Sequence, residues 1–345
     1  MTMGMSRSQA LVALCATVGL AAGGCSQIGM LKGKMAFQDA NKLYQGQDYR
    51  AAAAKYEETI AECRGSDPDC TDARLTPAYF FLGNSYDKMY RPARKGEAEN
   101  DAYLQKAVEN YRQSIEHLKG RTEEQAPQFL NLSYQYLIAA YGSDRLNDFA
   151  KAEEAARELI QTTPDEPGNY QALARLYQDQ GRNADAEAMF VKAAEVRPND
   201  PVGYQMLANF YNQQGDFEKT IAAFQKRADL EPNNPEAWHT MGTFYYDKAL
   251  RDTRLPMDTF RKYVSSGISA EDRALKLNAE YYEAVTFKGM LIGLQASRER
   301  DVAVQKRLLG EATALRERSL DLRKKQEAGA AATAAASAKP KPAGS

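Results

Sequence analysis

The sequence predicts an all-α solenoid of about six helix-turn-helix units closed by a C-terminal capping helix. Three observations carry this expectation. Helix formers dominate from residue 35 to 326 and β-branched residues are sparse. Two segments align without a gap at an offset of 34 residues: PGNYQALARLYQDQGRNADAEAMFVKAAEVRPND from Pro167 and PVGYQMLANFYNQQGDFEKTIAAFQKRADLEPNN from Pro201. Within them, Tyr170, Leu173, Ala174 and Tyr177 correspond to Tyr204, Leu207, Ala208 and Tyr211. Steps of three, one and three residues put each set on one face of a helix.

Residues 1–24 come first. A single Arg7 precedes LVALCATVGLAAGG, a 14-residue apolar run that contains Cys15. A spanning helix needs about 20 residues, so this run fits the core of a secretory signal instead. Cys25 ends it, and residues 25–34 read as a short tether. The solenoid is expected over 35–326. Its first unit, within 33–64, carries Ala40, Tyr49, Ala52 and Tyr56 in register; a second, over 77–119, carries Tyr79, Leu82, Gly83 and Tyr86. An insertion around RPARKGEAEND delays that unit's second helix, and a third unit covers 127–164.

The two ungapped units follow. Gly181 and Gly215 are placed to end their first helices, Ala186, Phe190 and Ala193 to face inward from a second helix, and Pro198 and Pro232 to stop it. Phe224 repeats the large inward residue, while Thr220 and Arg227 depart from the small ones. The next unit opens at Pro235 with Trp238, Met241, Gly242 and Tyr245, then is stretched by RDTRLPMDTF. A last unit begins YYEAVTFKGMLIGLQA and leads into a charged helix over 301–326. There Leu308, Ala312, Leu315, Ser319 and Leu322 alternate steps of four and three, the spacing of a helix docked on the preceding repeat or of a short coiled coil. Residues 327–345, Ala-rich with Pro, Gly and Lys, are expected to be disordered.

The repeats resemble the tetratricopeptide family, which implies a right-handed superhelical solenoid whose first helices line a concave, partner-binding groove. Carried over position by position, the resemblance implies groove residues Gln171, Arg175, Gln178 and Asp179 in the unit at Pro167. It implies Gln205, Asn209, Asn212 and Gln213 at Pro201, and His239, Thr243, Tyr246 and Asp247 at Pro235. Amides suit an extended peptide backbone, and Arg and Tyr are common interface anchors. Asn209 fits one position of the carboxylate clamp found in the chaperone-binding subfamily. Gln205 and Thr240 stand where Lys and Asn are expected, so no clamp is predicted.

Ala22, Gly23, Gly24 and Cys25 resemble a lipobox, with Ala22 where Leu is usual. That resemblance implies a bacterial lipoprotein of the cell envelope, acylated (palmitate-labelled) on Cys25 as the first mature residue. Ser26 rather than Asp after it implies outer-membrane sorting on the periplasmic face. An ordinary cleaved signal with a chance cysteine is the alternative. In an exported chain Cys63 and Cys70, flanking a turn with Gly65, Asp67 and Pro68, read as a disulfide. Closing so short a loop would stabilise by roughly 2–3 kcal/mol; two free thiols are the alternative.

Several function classes lack support. A net charge of −1 gives no electrostatic footprint for nucleic acid. Two histidines and no CxxC offer no zinc set, so no metal is expected. No phosphate loop, GxSxG or HExxH is present. His117 lies in a charged helix and is expected to face solvent. Neither an enzyme nor a cofactor beyond the covalent lipid on Cys25 is predicted. The expected partners are an envelope protein or peptide and, through the acyl anchor, the bilayer. The alternative is a peptidoglycan or carbohydrate binder using some of the 20 tyrosines.

Overall fold

The computed structural model describes residues 27–337, except 71, 73, 74 and 124. The signal segment 1–24, the lipid-acceptor candidate Cys25, and residues 338–345 lie outside the described residues. The described chain is all-helical: α1 (27–45), α2 (Tyr49–Ser66), α3 (Ala78–Met89), α4 (Ala98–Leu118), α5 (Ala126–Ala140), α6 (Phe149–Thr162), α7 (Pro167–Asp179), α8 (Asn183–Val196), α9 (Pro201–Gln213), α10 (Phe217–Leu230), α11 (Pro235–Arg251), α12 (Met257–Leu277), α13 (Tyr282–Ser297) and α14 (Val302–Ser337). A 3-10 turn, Pro92–Arg94, sits in the RPARKGEAEND insertion. Among the described residues no helix is long and apolar enough to cross a membrane.

The chain divides into two compact units at Ala186 and Glu187, inside α8. In the first, α1–α2, α3–α4 and α5–α6 are successive hairpins, with α7 packed on α6. In the second, α9–α10, α11–α12 and α13–α14 are hairpins stacked in turn.

Helix ends follow the sequence closely. Pro201 and Pro235 open α9 and α11 at a position where a missing N–H is harmless. Asp200 and Asn234 cap them, accepting the amides of Val202 (2.9 Å) and Glu236 (3.0 Å). The second helices α2, α6 and α10 are capped by Asp48, Asp148 and Asp216, each accepting the amide three residues on. The residue before each Asp closes the hairpin in the left-handed region: Gln47 at φ 64°, Asn147 at 54° and Gly215 at 75°. Glycine does this without a Cβ penalty and asparagine with little, but glutamine is strained there. Gln47 is exposed. Gln47→Gly is therefore expected to raise stability by about 1 kcal/mol in urea denaturation; a neutral or destabilising result would refute the strain.

The inward positions pack as the repeat requires. Leu173, Ala174, Tyr177, Leu207, Ala208, Tyr211, Trp238 and Met241 are buried. The departing residues stay buried by other means. Thr220 donates to the Asp216 carbonyl (2.7 Å), and the Arg227 guanidinium pairs with Glu231 (2.8 Å).

Three expectations are corrected. Residues 27–34 are not a tether: they begin α1. Gly33 lies buried on α2, where an added Cβ would stand 3.5 Å from the Thr59 carbonyl. The glycine sits within a packed helix, not in slack chain. The tail is helical further than expected, since α14 runs on to Ser337, and alanine is the strongest helix former. His117 does not face solvent. It is half-buried against the Tyr79 ring (5.6 Å), and burial pushes its pKa below the usual imidazole value.

Helix α14 is the second helix of the last hairpin as well as its end. Leu308 packs with Ile292 and Ala296 of α13, flanked by Val304, Ala312 and Leu315. The four-three stripe docks on the preceding helix.

Candidate interaction surface

Two kinds of polar side chain line the first helices: those that join neighbouring helices and those that face outward. The joining kind recurs as a knot. In the first unit Tyr86 of α3 donates to Glu57 of α2 (2.5 Å) while the Lys106 ammonium lies over the Tyr86 ring (4.8 Å). Tyr177 of α7 donates to Glu153 of α6 (2.8 Å), and Arg182 stacks on its ring (4.3 Å) while reaching Glu153 (3.2 Å). In the second unit Tyr211 of α9 donates to Glu187 of α8 (3.0 Å), with Lys219 on the same carboxylate (2.7 Å) and over the ring (5.1 Å). Each knot ties a second helix to the first helix of the next hairpin. Burial, then the Glu187 bond, pushes the Tyr211 phenol up to about 12, so it stays a donor at all ordinary pH. Sequence reading placed these tyrosines on the packing face and missed their acidic partners. The available signal was Glu153 and Glu187, 34 residues apart like the repeats themselves.

The outward-facing set divides by unit. On α7, in the first unit, Arg175 and Asp179 are exposed and Gln171 and Gln178 half-buried. On α9, in the second, Asn209, Asn212 and Gln213 are exposed and Gln205 half-buried. On α11, Asp247 is exposed, whereas His239, Thr243 and Tyr246 turn toward protein. Thr243 donates to the Thr240 carbonyl (2.7 Å), and Tyr246 meets Phe287 of α13 edge-on (5.5 Å).

His239 is not the free groove residue that the repeat register implied. Its Nδ1 lies 3.1 and 3.0 Å from the two carboxylate oxygens of Glu271 on α12. The Tyr281 and Phe287 rings, at 5.1 and 5.3 Å, close around it. Glu271 is fully buried. Burial pushes its carboxyl up to about 7, against the opposing pull of His239. The pair is packed within the hairpins and is not presented to a ligand.

The structure does bring Asn212 and Asp247 together. Both line an open recess of about 700 Å³ between the α9–α10 turn and the last turns of α11. Phe217 and Phe244 give it an apolar wall, and Lys248, Arg251 and Arg254 make its rim basic. Lys248 lies over the Phe217 ring (5.7 Å) and pairs with Asp252 (3.2 Å). Arg251 pairs with Asp247 at 3.3 Å, a solvent-exposed contact that a ligand can displace at little cost. Hydrogen bonding from Lys248 holds Asp252 below the usual carboxylate range. Three cations against two anions, beside two aromatic rings and an amide, suit an extended polypeptide with a carboxylate. Gln205, Asn209 and Gln213 do not line this recess. Sequence reading missed Arg251 and Arg254, which fall within the RDTRLPMDTF stretch where the repeat period breaks, and Lys248, three residues before it. Among the described residues no group of three His, Cys, Asp or Glu is placed to hold a metal ion.

Cys63 and Cys70 are joined as a disulfide (Cα–Cα 5.3 Å), buried with Leu75 and covered by Met30 and Phe37.

Residues 145–210 and 201–244 match the tetratricopeptide repeat. No curated protein matches the sequence. Solved structures are similar to this chain, and one of them, at a TM-score of 0.50, shares its fold. The C-terminal part of a TPR repeat-containing protein from Cytophaga hutchinsonii is 14% identical, covers 83% of this chain and 98% of its own, and has a TM-score of 0.50. A tetratricopeptide repeat protein from Parabacteroides merdae is 13% identical, covers 82% and 99%, and has a TM-score of 0.40. YrrB, described as a TPR protein with an unusual peptide-binding site, is 15% identical, covers 63% and 99%, and has a TM-score of 0.36. The chain carries tetratricopeptide repeats over residues 145–244 within an all-helical solenoid fold, the architecture of a protein–protein interaction scaffold.

Proposed function

We propose that this protein is a lipid-anchored, non-catalytic scaffold of the bacterial cell envelope, and that the α9–α11 recess holds an extended segment of its protein partner. The recess carries the reading: Asn212, two aromatic rings and a basic rim converge there, with no nucleophile set against a base. The apolar run before Cys25 and the small residues Ala22, Gly23 and Gly24 support export and lipidation. The Cys63–Cys70 disulfide supports an oxidising compartment. One face of α1 supports an anchor at its start. Ile28, Leu31 and Met35 are 59%, 60% and 59% exposed. Their spacing of three and four residues makes a single stripe, fit to lie on a bilayer held close by an acyl group at Cys25.

The test places a photo-crosslinking residue at Asn212 in cells. A discrete crosslinked partner is expected, reduced about tenfold by the double charge reversal Arg251→Glu and Arg254→Glu. An unchanged crosslinking pattern would overturn the recess as the site. The anchor is tested separately: Cys25→Ala should abolish labelling with a palmitate analogue, and undiminished labelling would remove the lipid from the proposal.

A further inference from the structure

Helix α14 carries more apolar surface than its docking on α13 uses. The docked stripe is Leu308, Ala312, Leu315, Ser319 and Leu322. Beside it, Leu309 and Leu320 remain 50% and 47% exposed, and Met290 of α13 is 38% exposed. These three wall an apolar recess of about 530 Å³ between the two helices. Its floor is shallow because Gly289 lets the helices close up: an added Cβ would stand 3.2 Å from the Leu315 Cβ and 3.4 Å from the Ala312 carbonyl. Arg316 and Arg323 stand on the rim, Arg323 in a solvent-exposed pair with Glu327 one turn on (2.8 Å) that an incoming carboxylate can displace at little cost, and no acidic side chain lines the recess itself.

This shape is a slot for a helix. Its walls are two packed helices, and its length runs from Leu309 to Arg323, roughly 21 Å or some 14 residues of α-helix. The charge selects the occupant. Two identical slots brought face to face would set Arg316 and Arg323 against their own copies, which disfavours a second molecule of this chain. The segment 338–345, AKPKPAGS, has no large apolar side chain and would bring two lysines to the same arginines. An amphipathic helix with acidic flanks satisfies both the walls and the rim.

We propose that the α13–α14 slot binds one amphipathic helix of a partner protein, apolar on one face and flanked by Asp or Glu that reach Arg316 and Arg323. This surface is separate from the α9–α11 recess and does not depend on it.

The experiment uses the full chain in phosphatidylcholine nanodiscs and two fluorescein-labelled helical peptides of roughly 16 residues. One is Leu/Glu with an apolar face at i, i+3, i+4 and i+7; the other replaces Glu with Lys. Anisotropy should show saturable binding of the Leu/Glu peptide, about tenfold tighter than the Leu/Lys peptide. Leu309→Glu and Leu320→Glu, at exposed positions, should each weaken it about tenfold without loss of helicity by circular dichroism. The double reversal Arg316→Glu and Arg323→Glu should invert the preference toward the Leu/Lys peptide, which misfolding could not produce. Arg251→Glu with Arg254→Glu should leave binding unchanged. Absent binding, equal binding of both peptides, or indifference to the slot substitutions would overturn the proposal. So would a dimer by sedimentation that Leu309→Glu dissolves, which would assign the slot to a second copy.

Discussion

Gly242→Ala is expected to destabilise the protein by about 2 kcal/mol, although the change removes a glycine from a helix. On propensity alone, alanine in α11 would gain about 1 kcal/mol. Packing reverses the sign. A Cβ at Gly242 would stand 2.2 Å from Glu271 Oε1, 2.6 Å from Cδ and 2.9 Å from Cγ. The carboxylate cannot swing into water, because it is fully buried and both its oxygens face His239 Nδ1. Either α11 and α12 must part or the Glu271–His239 pair must break, and overpacking of this kind costs about 1–3 kcal/mol before the lost pair is counted. Urea denaturation of the single variant checks the loss. The double variant Gly242→Ala with Glu271→Ala checks the cause, since it deletes the obstructing atoms and should recover much of the stability. A Gly242→Ala protein as stable as the parent would show that the hairpin tolerates the side chain, and the close approach would lose its meaning.

That glycine illustrates what the sequence makes legible. Leu173, Leu207 and Met241 recur at one register, with Ala174, Ala208 and Gly242 following each, because every hairpin solves the same packing problem. The period therefore exposes the fold, the hairpin turns at Gly181 and Gly215, and the exposed polar positions on α7 and α9. What breaks the period is not legible in this way. Glu271 lies in a second helix lengthened to 21 residues, so nothing in the repeat register announces it as the partner of His239. Lys248, Arg251 and Arg254 occupy or adjoin the stretch that interrupts the register, and they complete the recess around Asn212 and Asp247. The glycines of α1 and the alanines of α14 fail for another reason. Each residue type serves two ends, loose chain or packed helix for glycine and disorder or helix for alanine; burial of Gly33 on α2 decides the first, and helix propensity the second, since residues 323–331 of α14 are exposed.

The buried carboxyl of Glu271 should also make stability fall as pH rises through neutrality. A carboxyl in an unfolded chain titrates near about 4.3, whereas burial holds Glu271 at about 7 in the fold. The native state therefore binds the extra proton between those values. Its contribution is fully present below the unfolded pKa and is lost as pH climbs to 7 and beyond. The groups facing it set the size of the effect. His239 from α11 favours the ionised form, Asp272 on the same helix opposes it, and the Tyr281 phenol, held at about 12 mainly by burial, stays neutral. The expected loss is on the order of 2 kcal/mol between pH 5 and pH 8.5. Glu271→Gln keeps the size and the acceptor for His239 but cannot ionise. Its stability relative to the parent should start near zero at pH 5 and grow to about 2 kcal/mol at pH 8.5. A gap that stays constant across that range would mean Glu271 does not titrate there. If the gap does grow, the strain of the ionised pair falls on the contact of α11 with α13, because His239 packs on Tyr281 and Phe287 and Tyr246 shares Phe287. Hydrogen exchange in α11 and α13 should then quicken with pH beyond the intrinsic rate, and more in the parent than in Glu271→Gln.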